Sequence, residues 1–336
     1  MSLPSFKLRK YPTDIIKSSV HKYLRRKNKD MFIRCMLEFY LICKDNKNFD
    51  PLIIRIQIIC AEEILFNNYN SIISIYQKLK EFRNNFDNYS LIIDCCYLLI
   101  NSRRTRLVKY ILGYYSLGID YGFCQLNSKT EKKEYKLLTA PFKKEKDSEL
   151  LVDNVNMFYT LFKNFDYRCF YYALKTFYKF KNSSIRFKTK KKAMYWIWEI
   201  LLDETKNNKQ LNEYIKIMLE YFHYPCNYKS IFLIQSILLY LHQKDEEKDI
   251  LNEEKIDYKK IIERHKRIKF TIDPFCIDVH TKIGRSYGKT KFDFYNDGII
   301  IVDENLKYVD KHHFDVYIKA LKQYHSNKII SKQLKI

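Results

Sequence analysis

The chain has 336 residues, 46% of them apolar, so it has material for one large domain or two ordinary ones and is no disordered tail. Six glycines and six prolines are few for this length, which argues against a turn-rich sheet protein and for long helices. A formal net charge of +22 asks for an anionic partner, and nucleic acid is the economical one.

No apolar run is long enough to cross a bilayer: Ile231 to Leu241 is short and is broken by Gln235 and Ser236. Met1 to Lys10 lacks an apolar signal segment. The nine cysteines form no C-x-x-C pair and sit mostly in apolar periodic stretches, so they read as reduced core residues. Together these features predict an intracellular protein with no membrane partner, no cofactor and no metal.

Residues 1–12 read as an irregular lead-in. Apolar residues recurring at three and four then predict helices near 14–27, 29–44, 50–66, 69–84, 88–101 and 104–116, within a helical domain at 13–123. Short polar joints such as Lys44 to Phe49 make neighbours antiparallel. The charged stretch 124–150 reads as a linker or insertion. A second helical region follows at 151–256, with stripes such as Val155, Phe158, Phe162, Phe165, Cys169 and Tyr172, then Leu211, Ile215, Met218 and Phe222. The remainder, 257–336, is mixed; it carries the run Ile299 to Val302 and closes with a helix near 309–326. The predicted class is mainly α.

Residues 19–66 carry a resemblance. Ser19-Val20-His21-Lys22 is followed by Arg25-Arg26 and Lys29-Asp30, then by Pro51 to Ile56 and by Cys60-Ala61-Glu62-Glu63-Ile64. This order is similar to the C-terminal collar region of RarA/MgsA-type clamp-loader-like ATPases, and Asn101-Ser102-Arg103 resembles a further element of that family. Ile54 stands where the family has an arginine, Glu62-Glu63 where it has Glu-Asp, and Leu65 where it has glycine. The segment Asp278 to Lys289, with His280, Thr281, Gly284, Arg285 and Gly288, resembles an H-T-x-x-G-R-x-x-G tail of divergent relatives. The resemblance covers about a third of the chain and leaves out the ATPase domain. It implies a clamp-loader-like helical collar that oligomerises and works with replication or repair proteins.

Four basic clusters are candidates for DNA phosphates: Arg25, Arg26 and Lys27; Arg103, Arg104 and Arg106; Lys188, Lys190, Lys191 and Lys192; and Arg264, Lys266 and Arg267. Any one of them also fits a solvated basic face. Tyr171, Tyr172, Phe177 and Tyr178 lie among lysines as a base-stacking strip would, but at helical spacing they read first as core. Gly284 to Thr290 resembles a phosphate loop one residue short, with no helix-length segment before the acidic Asp303-Glu304; a glycine turn is the simpler reading. His21, Lys22 and His280 have no catalytic partners at readable spacing. Glu62 and Glu63 are adjacent and face two directions, so a pairing with arginine, Arg55 for instance, is favoured over a metal. His312 and His313 are poorly placed to share one.

The function these features favour is a non-catalytic DNA replication or repair accessory protein that binds DNA, as a homo-oligomer or with a replication-protein partner. Two alternatives stand beside it: a structural or scaffold protein, viral for example, lying against packaged nucleic acid, and a divergent ATPase whose signatures have drifted.

Overall fold

Short polar joints and long apolar stripes produce a mainly α structure. The computed structural model describes residues 11–66, 68–121, 136–145, 147–179, 185–186, 191–224, 229–243, 256–267, 270–294 and 298. The run at 299–302, the helix near 309–326, His312, His313, Lys188 and Lys190 lie outside the described residues. Two compact units emerge: Met1–Arg106 with Glu247–Leu306, and Leu107–Glu246 with Lys307–Ile336. These bounds differ from the sequence segments: the last predicted helix of the 13–123 domain belongs to the second unit, and the stretch after 257 returns to the first.

In the first unit, α1 (Thr13–Arg25) and α2 (Lys29–Asp45) form the most extensive helix pair. Lys27 turns the chain with a left-handed φ of 55°, and Asn28 caps α2 by accepting from the Met31 N–H. Pro51 starts α3 (Asp50–Glu62), where its missing N–H costs nothing. Helices α4 (Tyr69–Asn84) and α5 (Ser90–Asn101) pack together, and α5 also meets α2. The chain leaving α3 then runs antiparallel to the chain leaving α5. Ile64 bridges Arg104, the Leu65 N–H donates to the Arg103 carbonyl at 2.9 Å, and the Thr105 N–H donates to the Glu63 carbonyl at 2.9 Å. This ladder sets Glu62 and Glu63 beside Arg106.

The same unit takes α12 (Tyr258–Arg267) and α13 (Lys282–Ser286) from far along the chain. A 3-10 turn at Pro274–Cys276 packs on α1, with Phe275 edge-on to Tyr23.

The second unit packs α6 (Leu107–Tyr121), α7 (Glu149–Lys163), α8 (Cys169–Lys179), α9 (Tyr195–Glu204), α10 (Lys209–His223) and α11 (Lys229–Leu241). The stripe from Val155 to Tyr172 is two helices: the chain breaks at Phe165, whose φ of 55° no helix holds. The described part of 124–150 is no free linker. Leu138 and Ala140 donate backbone N–H bonds to Thr160 and Asn156 of α7, and the Pro141 carbonyl accepts from the Trp196 indole. Tyr171, Tyr172 and Phe177 are core residues, while Tyr178 is exposed. A short antiparallel pair, Ile185–Arg186 with Lys191–Lys192, carries part of the basic run. Seven described cysteines are free and buried, and burial pushes those of Cys35, Cys60, Cys96 and Cys169 well up. No helix among the described residues is long and apolar enough to cross a membrane.

Candidate functional site: a buried charge network and an exposed basic face

The motif residues of the first unit converge on one point. Glu63 is completely buried at the end of α3. Its carboxylate accepts from Arg25 Nε at 2.8 Å and Nη2 at 2.5 Å, from Arg106 Nη1 at 3.0 Å and from His21 Nδ1 at 2.7 Å. Glu62 accepts from the same Arg106 nitrogen at 2.6 Å. Arg25 Nη1 reaches the Gly298 carbonyl at 2.5 Å. One helical turn earlier, Lys22 donates to Asp278 at 2.5 Å and to the Ser18 hydroxyl at 3.0 Å. The Phe294 ring lies 5.9 Å from the cationic groups of Lys22, Arg25 and Arg106, and edge-on to His280.

Hydrogen-bond roles fix the tautomer of His21. Arg55 Nη1 lies 2.9 Å from Nε2 and can only donate, so Nε2 accepts and Nδ1 carries the proton given to Glu63. Burial holds the imidazole below its usual range against the pull of Glu63. His21 is therefore neutral and locked between two charges, which is no arrangement for proton transfer. Burial alone would raise the Glu63 carboxyl; Arg25 and Arg106 overcome it and hold that carboxyl well below the usual range. Asp278 is likewise burdened by burial, yet hydrogen bonds and charge from His280 and Lys22 bring it down to about 2.

His21, Glu62 and Glu63 place three ligand atoms within 4.8 Å of one another, as a metal site would. The donors argue otherwise: guanidinium N–H groups occupy the carboxylate lone pairs, and two arginines stand where a cation would have to sit.

This network corrects several sequence expectations. Arg25, Arg104 and Arg106 are only 2%, 2% and 3% exposed, so they face carboxylates and backbone carbonyls and offer nothing to DNA phosphates. The expected pairing of the two glutamates with arginine is present, through Arg25 and Arg106, and Arg55 meets His21. His21 has a carboxylate partner after all. Asp278, Phe294 and Gly298 enter as new members.

The segment from Thr281 to Lys289 is not a phosphate loop. Thr281 caps α13 by accepting from the Gly284 N–H at 3.0 Å. Gly284 lies inside the helix, where a Cβ would meet the Asp278 carbonyl oxygen at 1.9 Å. Gly288 has φ +72°, its N–H donates to the Arg285 carbonyl, and the Lys289 N–H reaches back to the Gly284 carbonyl. That pattern is a Schellman helix stop. Thr290 caps the next turn, sharing a capping box with Asp293.

One predicted cluster, on α12, lies at the surface beside α2. Arg264 pairs with Asp30, and the His265 carbonyl accepts from Arg34 at 2.5 Å, so α12 lies against the N-terminal half of α2. Lys27 is exposed at the α1–α2 turn, Arg26 covers the Phe275 ring at 3.8 Å, and Lys29 covers Tyr97 at 4.0 Å. Along α12, Lys259, Lys260, Arg264, Lys266 and Arg267 are exposed. An open groove of about 690 Å³ runs there, lined by Asp257, Lys259, Lys260, Glu263, Arg264 and Arg267. Arg103 is exposed elsewhere on the unit; of Lys191 and Lys192 only the backbone pairing is described.

No family model, no curated protein and no solved structure matches the chain.

Proposed function

We propose that the protein is a non-catalytic DNA replication or repair accessory factor, related in design to the RarA/MgsA collar, that holds nucleic acid on the basic face of α12 and the α1–α2 turn. The observation that carries this reading is how the charge is divided. Arg25, Arg104 and Arg106 are buried against carboxylates and carbonyls inside the first unit, whereas Lys27, Lys259, Lys260, Lys266 and Arg267 are exposed, and Lys259, Lys260 and Arg267 line an open groove. A surface of this kind gains affinity by releasing counterions from phosphates, whatever the base sequence. The joining of His21, Lys22, Arg25, Glu62 and Glu63 into a single network supports treating them as the framework of a collar-like domain, and oligomerisation through the helices belongs to the same proposal.

Fluorescence anisotropy with single-stranded, duplex and forked DNA over a salt series tests it, with oligomeric mass measured in parallel. Replacing Lys259, Lys260 and Arg267 together by alanine should weaken binding and lower the salt slope by about 0.9 per lost duplex phosphate contact. Arg264 is left in place because its removal would strand Asp30. An unchanged slope in the triple variant, or no binding by the parent protein at low salt, overturns the reading.

A further inference from the structure

The tip of the first unit at residues 282–291 has no role in the buried network, yet its chemistry is specific. Tyr287 is 73% exposed, the most open large apolar side chain among the described residues. Lys282, Arg285 and Lys291 are exposed around it in sequence, and Lys289 makes only a long 3.9 Å approach to Asp293. Arg285 rests one nitrogen on the Val279 carbonyl at 3.2 Å. Among the described residues, the side chains of Lys282, Tyr287 and Lys291 make no hydrogen bond or ion pair.

An exposed aromatic ring with four cations close to it along the chain is matched by a ligand that has both flat apolar faces and regularly spaced negative charge. Unpaired nucleotides have both; the bases of a duplex hide their faces in the stack. The tip is also held still. The Schellman stop fixes the backbone on both sides of Tyr287, Gly284 is pressed against the Asp278 carbonyl, and Asp278 is tied to buried Lys22. At its base the Lys282 N–H donates to Asp14 at 2.6 Å. A ring presented on such a mount loses little further freedom when a base stacks on it.

We propose that Tyr287 is a stacking post for a base of single-stranded nucleic acid, with Lys282, Arg285, Lys289 and Lys291 holding the flanking phosphates. This rests on the nucleic-acid reading above and adds to it a preference for unpaired strands.

The test compares the parent protein with Tyr287→Ala, Tyr287→Phe and Tyr287→Trp on a poly-dT oligonucleotide and on a duplex of equal length. Tyr287→Ala should lose about tenfold on the single strand, within the range for one stacked base, and keep its duplex affinity. Tyr287→Phe should bind like the parent. Tyr287→Trp adds an exposed indole to two buried ones, Trp196 and Trp198, so its fluorescence should be quenched by poly-dT. Circular dichroism checks that each variant folds.

If Tyr287→Ala binds the single strand as the parent does, the stacking post is wrong while the basic face stands. Equal losses on single strand and duplex also overturn it. Binding to acidic lipid vesicles that Tyr287→Ala abolishes, with oligonucleotide binding intact, would assign the tip to a membrane surface instead. A parent protein that binds no nucleic acid removes both readings together.

Discussion

The two units solve the same packing problem with different materials. In the first, four chain segments meet around Arg25, Arg106, Glu62, Glu63 and His21, charges taken out of water and satisfied by one another. In the second, helices meet around rings: Phe162 stacks on Tyr240 with centroids 4.1 Å apart, and Phe222 lies edge-on to Phe177 and Trp198. Apolar packing is tolerant, because many hydrophobic sets of the right volume fill one space. A charge network is not: each member has a fixed number of donors or acceptors, and losing one strands the rest. The first unit should therefore have one arrangement available to it, and the second several near-equivalent ones.

The sharpest test of that contrast is Glu63→Ala. It leaves Arg25 and Arg106 with Glu62 as their one remaining carboxylate in the network, so the first unit should lose about 3–5 kcal/mol in urea unfolding followed by hydrogen exchange in α1 and α5. Trp196→Ala should cost the second unit a similar ~3–5 kcal/mol through an unfilled cavity. Yet Trp196→Phe should recover most of that, whereas Glu63→Gln should recover little. A full recovery by Glu63→Gln would mean that shape, and not charge, holds the first unit together.

Acid should separate the units next. Burial lowers His265 from 6.5 to about 4 and lowers His21 too, so the unfolded chain binds protons first. The stability that these neutral histidines confer is complete above pH 6.5 and falls away toward about 4. Asp278, depressed from 3.8 to about 2, and Glu63 extend the loss below that. Among the described residues of the second unit the shifted groups are Tyr159, Cys169, Tyr195 and Tyr240, raised chiefly by burial, and Lys175, lowered by it. Tyr240, raised to about 12, keeps its proton longer than the unfolded chain does, so its contribution is present below pH 10 and is lost as pH climbs through 12. Exchange measured at pH 4 should open α1 before α11; the reverse order would contradict the assignment of charges. The smallest effect separates two glycines. Gly284→Ala drives a Cβ into the Asp278 carbonyl and should destabilise the first unit more than Gly288→Ala, which meets nothing and pays about 1 kcal/mol for its left-handed φ.

Periodicity located the helices well. The expected 69–84 coincides with α4, and 29–44 misses α2 by one residue. What it did not separate was a buried cation from a solvated one. Lys22 and Arg25 continue the inward stripe of Ile15 and Ser19, and Glu63 lies four residues beyond buried Ile59; these are charged residues on apolar faces, and that was the available signal. Their partners were out of reach because Asp278 and Gly298 come from more than 250 residues away, a pairing that only the packed chain defines. The break at Phe165 was hidden because the apolar spacing continues across it.

The first unit is discontinuous, with the second inserted after Arg106. On a ribosome this imposes a wait. Lys22, the α1–α2 pair and the carboxylates are made early, but the aspartate that neutralises Lys22 is synthesised 172 residues after Arg106 (278 − 106), roughly 10–30 s later at ordinary elongation rates. Through that interval the contiguous part of the second unit, Leu107–Glu246, can fold ahead. The nascent first unit stays open, with Lys22 lacking its counterion and Arg25 lacking the Gly298 carbonyl, until the chain returns to it.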